Sequence, residues 1–572
     1  MGRRMLAARG PVGSPGGRAR PVSVVAALAL LCVLALASAC GDARTAEGPG
    51  GGSPDPSSPP RPGGTYDYPL RYDVASLLPF RAWELDSSAL VAHQIYEGLV
   101  AYETQPDGSV ATVPCLAQSW SADRDARVWT FRLRRGVRFQ SPVGREVTAA
   151  DVVSDFRYAA DPRVEAAAAY MYAIIEGTDD EGRIGPDGPG ALGVEALDRY
   201  TVRFTLKGPF AAFPDTLGNP AAWVWPVDYL ERVGPAVFEE RPVGTGPFSL
   251  SRRVRGRYVD LVRNPSWWNA QSGRPYLESV HFRVVGSVSA ELLAFQKETI
   301  DYAWVPQGQA AASRSLPQVR SGEWSARTIP RLGMRYIGFR MSDPVVGGER
   351  GLPLRRALAA AVDRAALVAD VYDGVAIPQA GLVPPVLAGW KDAAAAPGRD
   401  LAEATRLYRA AGSPPLEIAC LRDLRDAVAT AEWLSAACAA AGIDLEVRLM
   451  SSDEAMAVWG TGRMPAIFLS GWIADYPAAE NFLYDLFHSS VSAGGGTLYA
   501  DADVDRLLSL ARSTSDPARR YELNRRAAAE IVADLPVIPL IEFADYGLLS
   551  SRVAGFSVDP LCGVDAWRLW IR

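Results

Sequence analysis

The chain has 572 residues, roughly three to four domains' worth of folded material. Hydrophobic residues make up 48% and charged residues 22%, which excludes a disordered chain, a collagen-like chain and a multi-span membrane protein. The net charge of −6 offers no basic excess for nucleic acid, and three histidines (His93, His281, His488) exclude a histidine-rich metal site. Lysine is confined to Lys207, Lys297 and Lys391, so arginine carries nearly all the positive charge. With abundant Ala, Gly and Pro, this is the composition of a high-GC, actinobacteria-like genome.

Residues 1–21 carry Arg3, Arg4, Arg9, Arg18 and Arg20 and no acid, and an apolar run follows from Val22 to Ala37, broken by Ser23. The run is too short for a confident membrane span. A basic start, a short apolar segment and small residues before a cut describe a secretory signal over residues 1–39. The ending Leu36-Ala37-Ser38-Ala39-Cys40-Gly41 resembles a bacterial lipobox, which implies lipidation of Cys40. It departs from that pattern at Ala37, where Leu is preferred. Residues 40–64 then form a Gly/Pro/Ser linker with almost no apolar content, a flexible leash that buries no core.

Outside the cytoplasm disulfides persist. Once Cys32 is removed and Cys40 lipidated, Cys115, Cys420, Cys438 and Cys562 remain, and four cysteines allow three pairings. A Cys420–Cys438 bridge with Cys115–Cys562 is expected, four buried thiols being the alternative. No Cys-x-x-Cys supports a redox or zinc site, so neither a metal nor any other cofactor is expected.

The body reads as mixed α/β. Trp129, Phe131 and Leu133 alternate with Thr130 and Arg132, the period-two pattern of a half-buried strand. Thr148-Ala-Ala-Asp151 reads as a capping box opening a helix. Tyr200–Leu206, Tyr258–Val262 and Val280–Val285 read as strands. Leu354, Leu358 and Val362 fall at helical spacing, predicting a helix from near Pro353 to near Gly374. A strand (Leu416–Leu421), a helix (Ala427–Ala441) and a strand (Ile443–Leu449) follow, then the helix-like run Asn481–Phe487. Asp516-Pro517 caps a further helix, before the strand-like Val537–Ile541. Strand–helix–strand alternation implies a sheet covered by helices.

Positive evidence for catalysis is missing from the motifs. The sequence holds no phosphate loop, no His-Glu-x-x-His, no dinucleotide glycine fingerprint and no Gly-x-Ser-x-Gly elbow. A Ser-His-Asp triad would need one of three histidines that each read as structural.

Seven runs occur in order: Gln94-Ile-Tyr-Glu-Gly-Leu-Val-Ala-Tyr102, Pro114 to Trp120, Trp129 to Phe139, Thr148 to Val152, Val243-Gly-Thr-Gly-Pro-Phe248, Leu354 to Arg364, and Gly471-Trp-Ile-Ala-Asp475-Tyr-Pro477. Together they resemble the family 5 extracellular solute-binding proteins of ABC transporters, receptors for peptides, nickel and related solutes. The resemblance implies a two-lobed α/β fold of the periplasmic-binding-protein type II class. Lobe I would take residues 65–305 plus 541–572, with an inserted subdomain at about 100–215, and lobe II residues 306–540. Crossing strands near Tyr302–Pro306 and Pro539–Glu542 would form a hinge, and the lobes would close like a jaw on a peptide or other small solute.

The resemblance also implies a site. In peptide-binding relatives the aspartate matching Asp475 pairs with the peptide's α-ammonium, a charge-assisted bond that is strong in a closed cleft. Backbone groups of Gly471 and Ile473 would pair with an extended peptide as an added strand. Trp472 would supply an apolar wall beside Tyr476, and Tyr96 would face the cleft from lobe I. The implied partners are the membrane subunits of an ABC permease and the membrane itself through the lipid anchor. The chain would be a monomer, not an enzyme, on the outer face of the cytoplasmic membrane. Open alternatives are a nickel chelate, oligosaccharide or haem cargo, and a secreted hydrolase using His93 or His488.

Overall fold

The protein is described by a computed structural model over residues 60–572, apart from 83–86, 186–187, 307, 392–393, 560 and 562. The expected signal, the lipidation candidate Cys40, most of the linker and Cys562 lie outside the described residues. β1 (Thr65–Leu70) comes first. β2 (Val100–Thr104) and β3 (Val110–Pro114) form a hairpin. β4 (Ala117–Ala122), β5 (Val128–Leu133), β6 (Val194–Asp198) and β7 (Thr201–Thr205) follow, then β8 (Phe248–Val254), β9 (Tyr258–Arg263) and β10 (Ser279–Val284). β11 (Tyr302–Trp304) precedes the long β12 (Trp324–Phe339), and β13 (Ile377–Pro378) is short. β14 (Leu416–Leu421), β15 (Leu445–Met450), β16 (Ile467–Ile473) and β17 (Val537–Ser550) complete the main framework.

These strands make two four-stranded sheets, ordered β1-β10-β9-β8 and β4-β5-β7-β6. A third sheet runs β11-β17-β12-β16-β14-β15, with β13 on β17. In β5 the alternation is realised: Trp129, Phe131 and Leu133 are buried and Arg132 is exposed. The capping box at Thr148 is also present, its backbone N–H donating to Asp151 Oδ2 at 2.8 Å. The helix Pro517–Asp534 starts where Asp516 accepts the backbone N–H of Arg519 at 2.7 Å.

Three expectations are corrected. The single helix expected between Pro353 and Gly374 is two, Gly348–Ala361 and Arg364–Val371. Asp363 divides them because its side chain accepts the Ala366 N–H at 3.0 Å, the geometry of a new N-cap. The last strand continues nine residues past Ile541, because β12, β11 and β13 all pair with it. The expected Cys420–Cys438 bridge is not formed: both are buried free thiols in the same apolar core, packing as small hydrophobes. Cys115 is also free, its thiol 3.8 Å from Glu97 Oε1.

The cores reveal two lobes. One gathers Tyr66, Phe131, Phe204, Phe248 and Phe282, and draws in Leu549 and Leu569 from the C-terminal segment. A second gathers Leu358, Ile418, Leu434, Ile467 and Ile538. A third holds Met334, Phe468, Phe482 and Leu523 and also takes Tyr102 and Val110 from the β2–β3 hairpin. β17 therefore reaches from one body into the other, and β12 runs antiparallel beside it from Trp324↔Ser550 to Gly338↔Val537. Their register slips between Pro330 and Met334, a bulge of the kind that bends a sheet.

Candidate ligand-binding site

The expected site begins on β16. The Ala474 N–H bonds to Leu332 O at 2.7 Å and the Arg340 N–H to Ala466 O at 3.0 Å, so even-numbered residues of β16 turn their backbone groups toward β12. By the alternation of an antiparallel pair, Gly471 and Ile473 turn theirs the other way. On that side β14 accompanies β16 at Ile467 and Phe468. Past Phe468, no strand among the described residues covers that edge.

The loop after β16 is held by Asn481. Its Oδ1 accepts the indole N–H of Trp472 at 3.1 Å and the backbone N–H of Asp475 at 3.2 Å. Its Nδ2 donates to Asp485 Oδ2 at 2.9 Å. The Tyr476 hydroxyl lies 3.4 Å from the same carboxylate oxygen, and its buried ring meets Phe210 edge-on at 5.8 Å. Burial pushes Asp485 up to about 7, against the pull of Arg512 and with the repulsion of Glu480 and Asp475. Behind the expected binding carboxylate thus stands a second carboxyl that burial makes less acidic than usual.

The other lobe comes to meet this loop. The Tyr170 hydroxyl donates to Asp475 Oδ1 at 3.3 Å, and Asn219 Nδ2 donates to the Asp475 carbonyl at 2.8 Å. The Arg512 guanidinium sits between the rings of Phe210 (4.3 Å) and Tyr484 (4.2 Å). Gly471, Trp472, Ile473, Asp475 and Tyr476 therefore share one stretch at a junction between lobes.

Tyr96 does not join them. It is 1% exposed in the first core, donates to Leu77 O at 2.9 Å and stacks on Trp223. Its neighbour Glu97 explains two of the sequence runs. Its half-buried carboxylate receives the indole N–H groups of Trp267 (2.9 Å) and Trp268 (3.1 Å) and the hydroxyl of Thr245 (2.8 Å). Burial nevertheless pushes it up to about 7. Gly244 lies so close to Ile95 that a Cβ there would sit 2.1 Å from the Ile95 carbonyl oxygen. The Gln94–Tyr102 and Val243–Phe248 runs thus pack on each other through Glu97, Thr245, Ile95 and Gly244.

Tyr170, Asn219 and Asn481 carried no site signal in the sequence. For Asn481 the available hint is a polar residue among Phe482, Leu483, Leu486 and Phe487 on the buried face of the helix Glu480–Phe487. His93 and His488 each have side-chain partners. His93 Nε2 meets Asp565 Oδ1 at 3.0 Å, and Ser557 bonds to Asp565, not to the imidazole. His488 is held by Ser490 and Ser509 in a turn. Among the described residues, no group of three or more His, Cys, Asp or Glu is placed to hold a metal, and no helix is long and apolar enough to cross a membrane.

A cavity of about 490 Å³ lies beside β12. Its walls come from β12 (Arg327 to Pro330), the β2–β3 turn, Arg274, Val386 and the C-terminal segment with Phe556, Arg568 and Trp570.

Residues 111–494 match the bacterial extracellular solute-binding proteins, family 5 (middle region). The chain belongs to this family. Among curated relatives, the glutathione-binding protein GsiB of Escherichia coli K12 is 28% identical over 502 residues, 86% of this chain and 91% of that protein. Di/tripeptide-binding protein 2 of Pseudomonas aeruginosa is 26% identical over 500 residues, 84% of this chain and 89% of that protein. Family 5 structures share the fold. The unliganded open form of the murein tripeptide-binding protein MppA superposes with a TM-score of 0.76 at 21% identity, over 89% of this chain and 97% of that one. DppA of Helicobacter pylori, in complex with the peptide STSA, gives 0.64 at 25% identity over 89% and 98%.

Proposed function

We propose that this family 5 protein captures short peptides by their free amino end and delivers them unchanged to an ABC permease. The observation that carries the reading is the uncovered edge of β16 at Gly471 and Ile473, ending at the Asp475 carboxylate. An extended peptide laid on that edge would bond through its main chain, leaving side chains unread. Its ammonium would fall beside Asp475 and the Tyr170 hydroxyl, where exclusion of water strengthens a charge-assisted bond. The curated relatives named for glutathione and for di- and tripeptides support the same cargo class.

In this reading the lobes shut on the peptide, and the permease recognises the closed form because both lobes must be in register. Lipidated Cys40 and the linker of residues 40–64 hold a monomer at the outer face of the membrane. The protein binds without turnover. The test is mass spectrometry of whatever co-purifies with the protein, followed by incubation with a peptide library. Intact bound peptides support the reading; a co-purifying sugar or metal chelate, or cleaved peptides, would overturn it.

A further inference from the structure

On the face of the third sheet that carries Ile473, two neighbouring positions have no side chain: Gly333 on β12 and Gly471 on β16. Gly333 is the register partner of Ile473 and Gly471 of Arg335, so the four share that face. Glycine weakens a strand and marks a place where something approaches the backbone closely. Here the approaching group is the ring of Phe543, from β17. A Cβ on Gly333 would lie 3.0 Å from its Cδ2, and one on Gly471 would lie 3.1 Å from its Cζ and 3.4 Å from its Cε2. One edge of the ring therefore runs along both glycines, reaching from β17 across β12 to β16. Phe543 falls in the register slip between Met334↔Glu542 and Pro330↔Ala544, where a bulge re-aims a side chain. The ring is half-buried at the margin of the second core, and Gly471 and Ile473 beside it are half-buried too. The Arg335 guanidinium stands 5.3 Å from the ring centre, its charge already met by Asp426 at 2.6 Å.

We infer that Phe543 sets side-chain specificity at the candidate site: its ring floors a subsite for an aromatic or large apolar side chain of the cargo, at the one position paired with Gly471. The inference deepens the peptide reading above and rests on it. Main-chain bonding along the edge of β16 is indifferent to side chains, and this subsite adds a single place where one is read. Residues paired across neighbouring strands put their side chains on the same face, with Cβ atoms about 5 Å apart. The cargo residue paired with Gly471 therefore projects onto the face where Gly471 offers only hydrogen and the Phe543 tip fills the space. Its next neighbour on that face is the apolar Ile473. Cargo residues one step along project onto the opposite face, beside Trp472. A large apolar side chain at the Gly471 position takes the open part of the Phe543 ring out of water, and an aromatic one gains further from ring-to-ring contact. Arg335 does not turn the spot into a charge site, because Asp426 holds its guanidinium.

The test is calorimetry on the full chain with trialanine and with its variants carrying Phe at the first, second or third position, all with free amino ends. Phe at one position only is expected to tighten binding about two- to tenfold, the range an aromatic pair adds. Phe543→Ala should erase that gain and Phe543→Leu should keep only part of it, with thermal unfolding confirming an intact fold. The readout is a ratio between two peptides on one protein. A ring that merely covers the glycines would change stability and leave the ratio alone. No gain at any position in the parent, equal gains at all of them, or a gain that survives Phe543→Ala would overturn the subsite. Should Phe543→Ala fail to fold, an undiminished gain in Phe543→Leu overturns it equally. Asp475→Ala separates the two ideas. Loss of every peptide in that variant, with no positional gain in the parent, removes the subsite and leaves the amino-end reading standing. A parent that binds none of the peptides removes the peptide reading and the subsite with it.

Discussion

The Tyr170 hydroxyl meets Oδ1 of Asp475 at 3.3 Å, joining residues 305 apart in sequence. One lies on a short helical turn packed in the first core's body, the other on the loop that ends β16. A cargo ammonium placed there would touch both lobes, which is how a ligand bound to one lobe comes to hold the other.

Replacing Asp475 by Ala should therefore weaken binding of peptides with a free amino end by about thirtyfold or more, since truncating one partner of a buried charge pair costs about 2–5 kcal/mol. Tyr170→Phe should cost less, about tenfold, because a single hydrogen bond to a charged group is lost. Calorimetry on the two variants checks the order; an unchanged affinity in Asp475→Ala counts against the assigned site.

Asn481 makes no direct claim on cargo, yet it ties Trp472, Asp475 and Asp485 together. Asn481→Ala leaves an indole N–H and a backbone N–H without their acceptor, at a cost of about 1–3 kcal/mol in stability. Chemical denaturation should show that loss, and peptide affinity should fall with it as the loop loosens.

Stability should decline as pH rises from about 5 to 8. Burial raises Glu97, Asp485 and Glu291 each to about 7 and Glu542 to about 8. The folded state then holds protons that the unfolded chain, with ordinary carboxyls, has already released. Where the folded state binds more protons, rising pH favours unfolding. Each of these groups contributes on the order of a few kcal/mol. Denaturant midpoints measured at unit pH steps check the sign, and Glu97→Gln should flatten part of the slope. Stability that rises across this window would contradict the account.

Gly244→Ala should block folding or cost at least several kcal/mol, since its Cβ would fall 2.1 Å from the Ile95 carbonyl, a rigid backbone atom. Yield and thermal unfolding of that variant check it.

What the sequence made legible follows from locality. β5 shows its alternation, and Asp516 caps its helix, because each signal lies within a few residues. β17 was legible only to Ile541, since Glu542, Asp545 and Gly547 break an apolar pattern that pairing with three neighbouring strands makes unnecessary. Asp363 divides a helix through one side-chain bond that spacing does not reveal. Around the site, the Gly471–Tyr476 run stood out by resemblance, while Tyr170 and Asn219 reach Asp475 from 305 and 256 residues away. Tyr96 was placed at the cleft by the run it sits in, whereas that run serves the core through Glu97 and Gly244.

The most direct measurement is titration of the full chain with a library of short peptides bearing free amino ends and with the same library N-acetylated, recovering the bound material afterwards. The account predicts saturable binding of the free-amine peptides, recovery of those peptides uncut, and little binding of the acetylated set. Equal binding of both sets, or recovery of fragments, would contradict it.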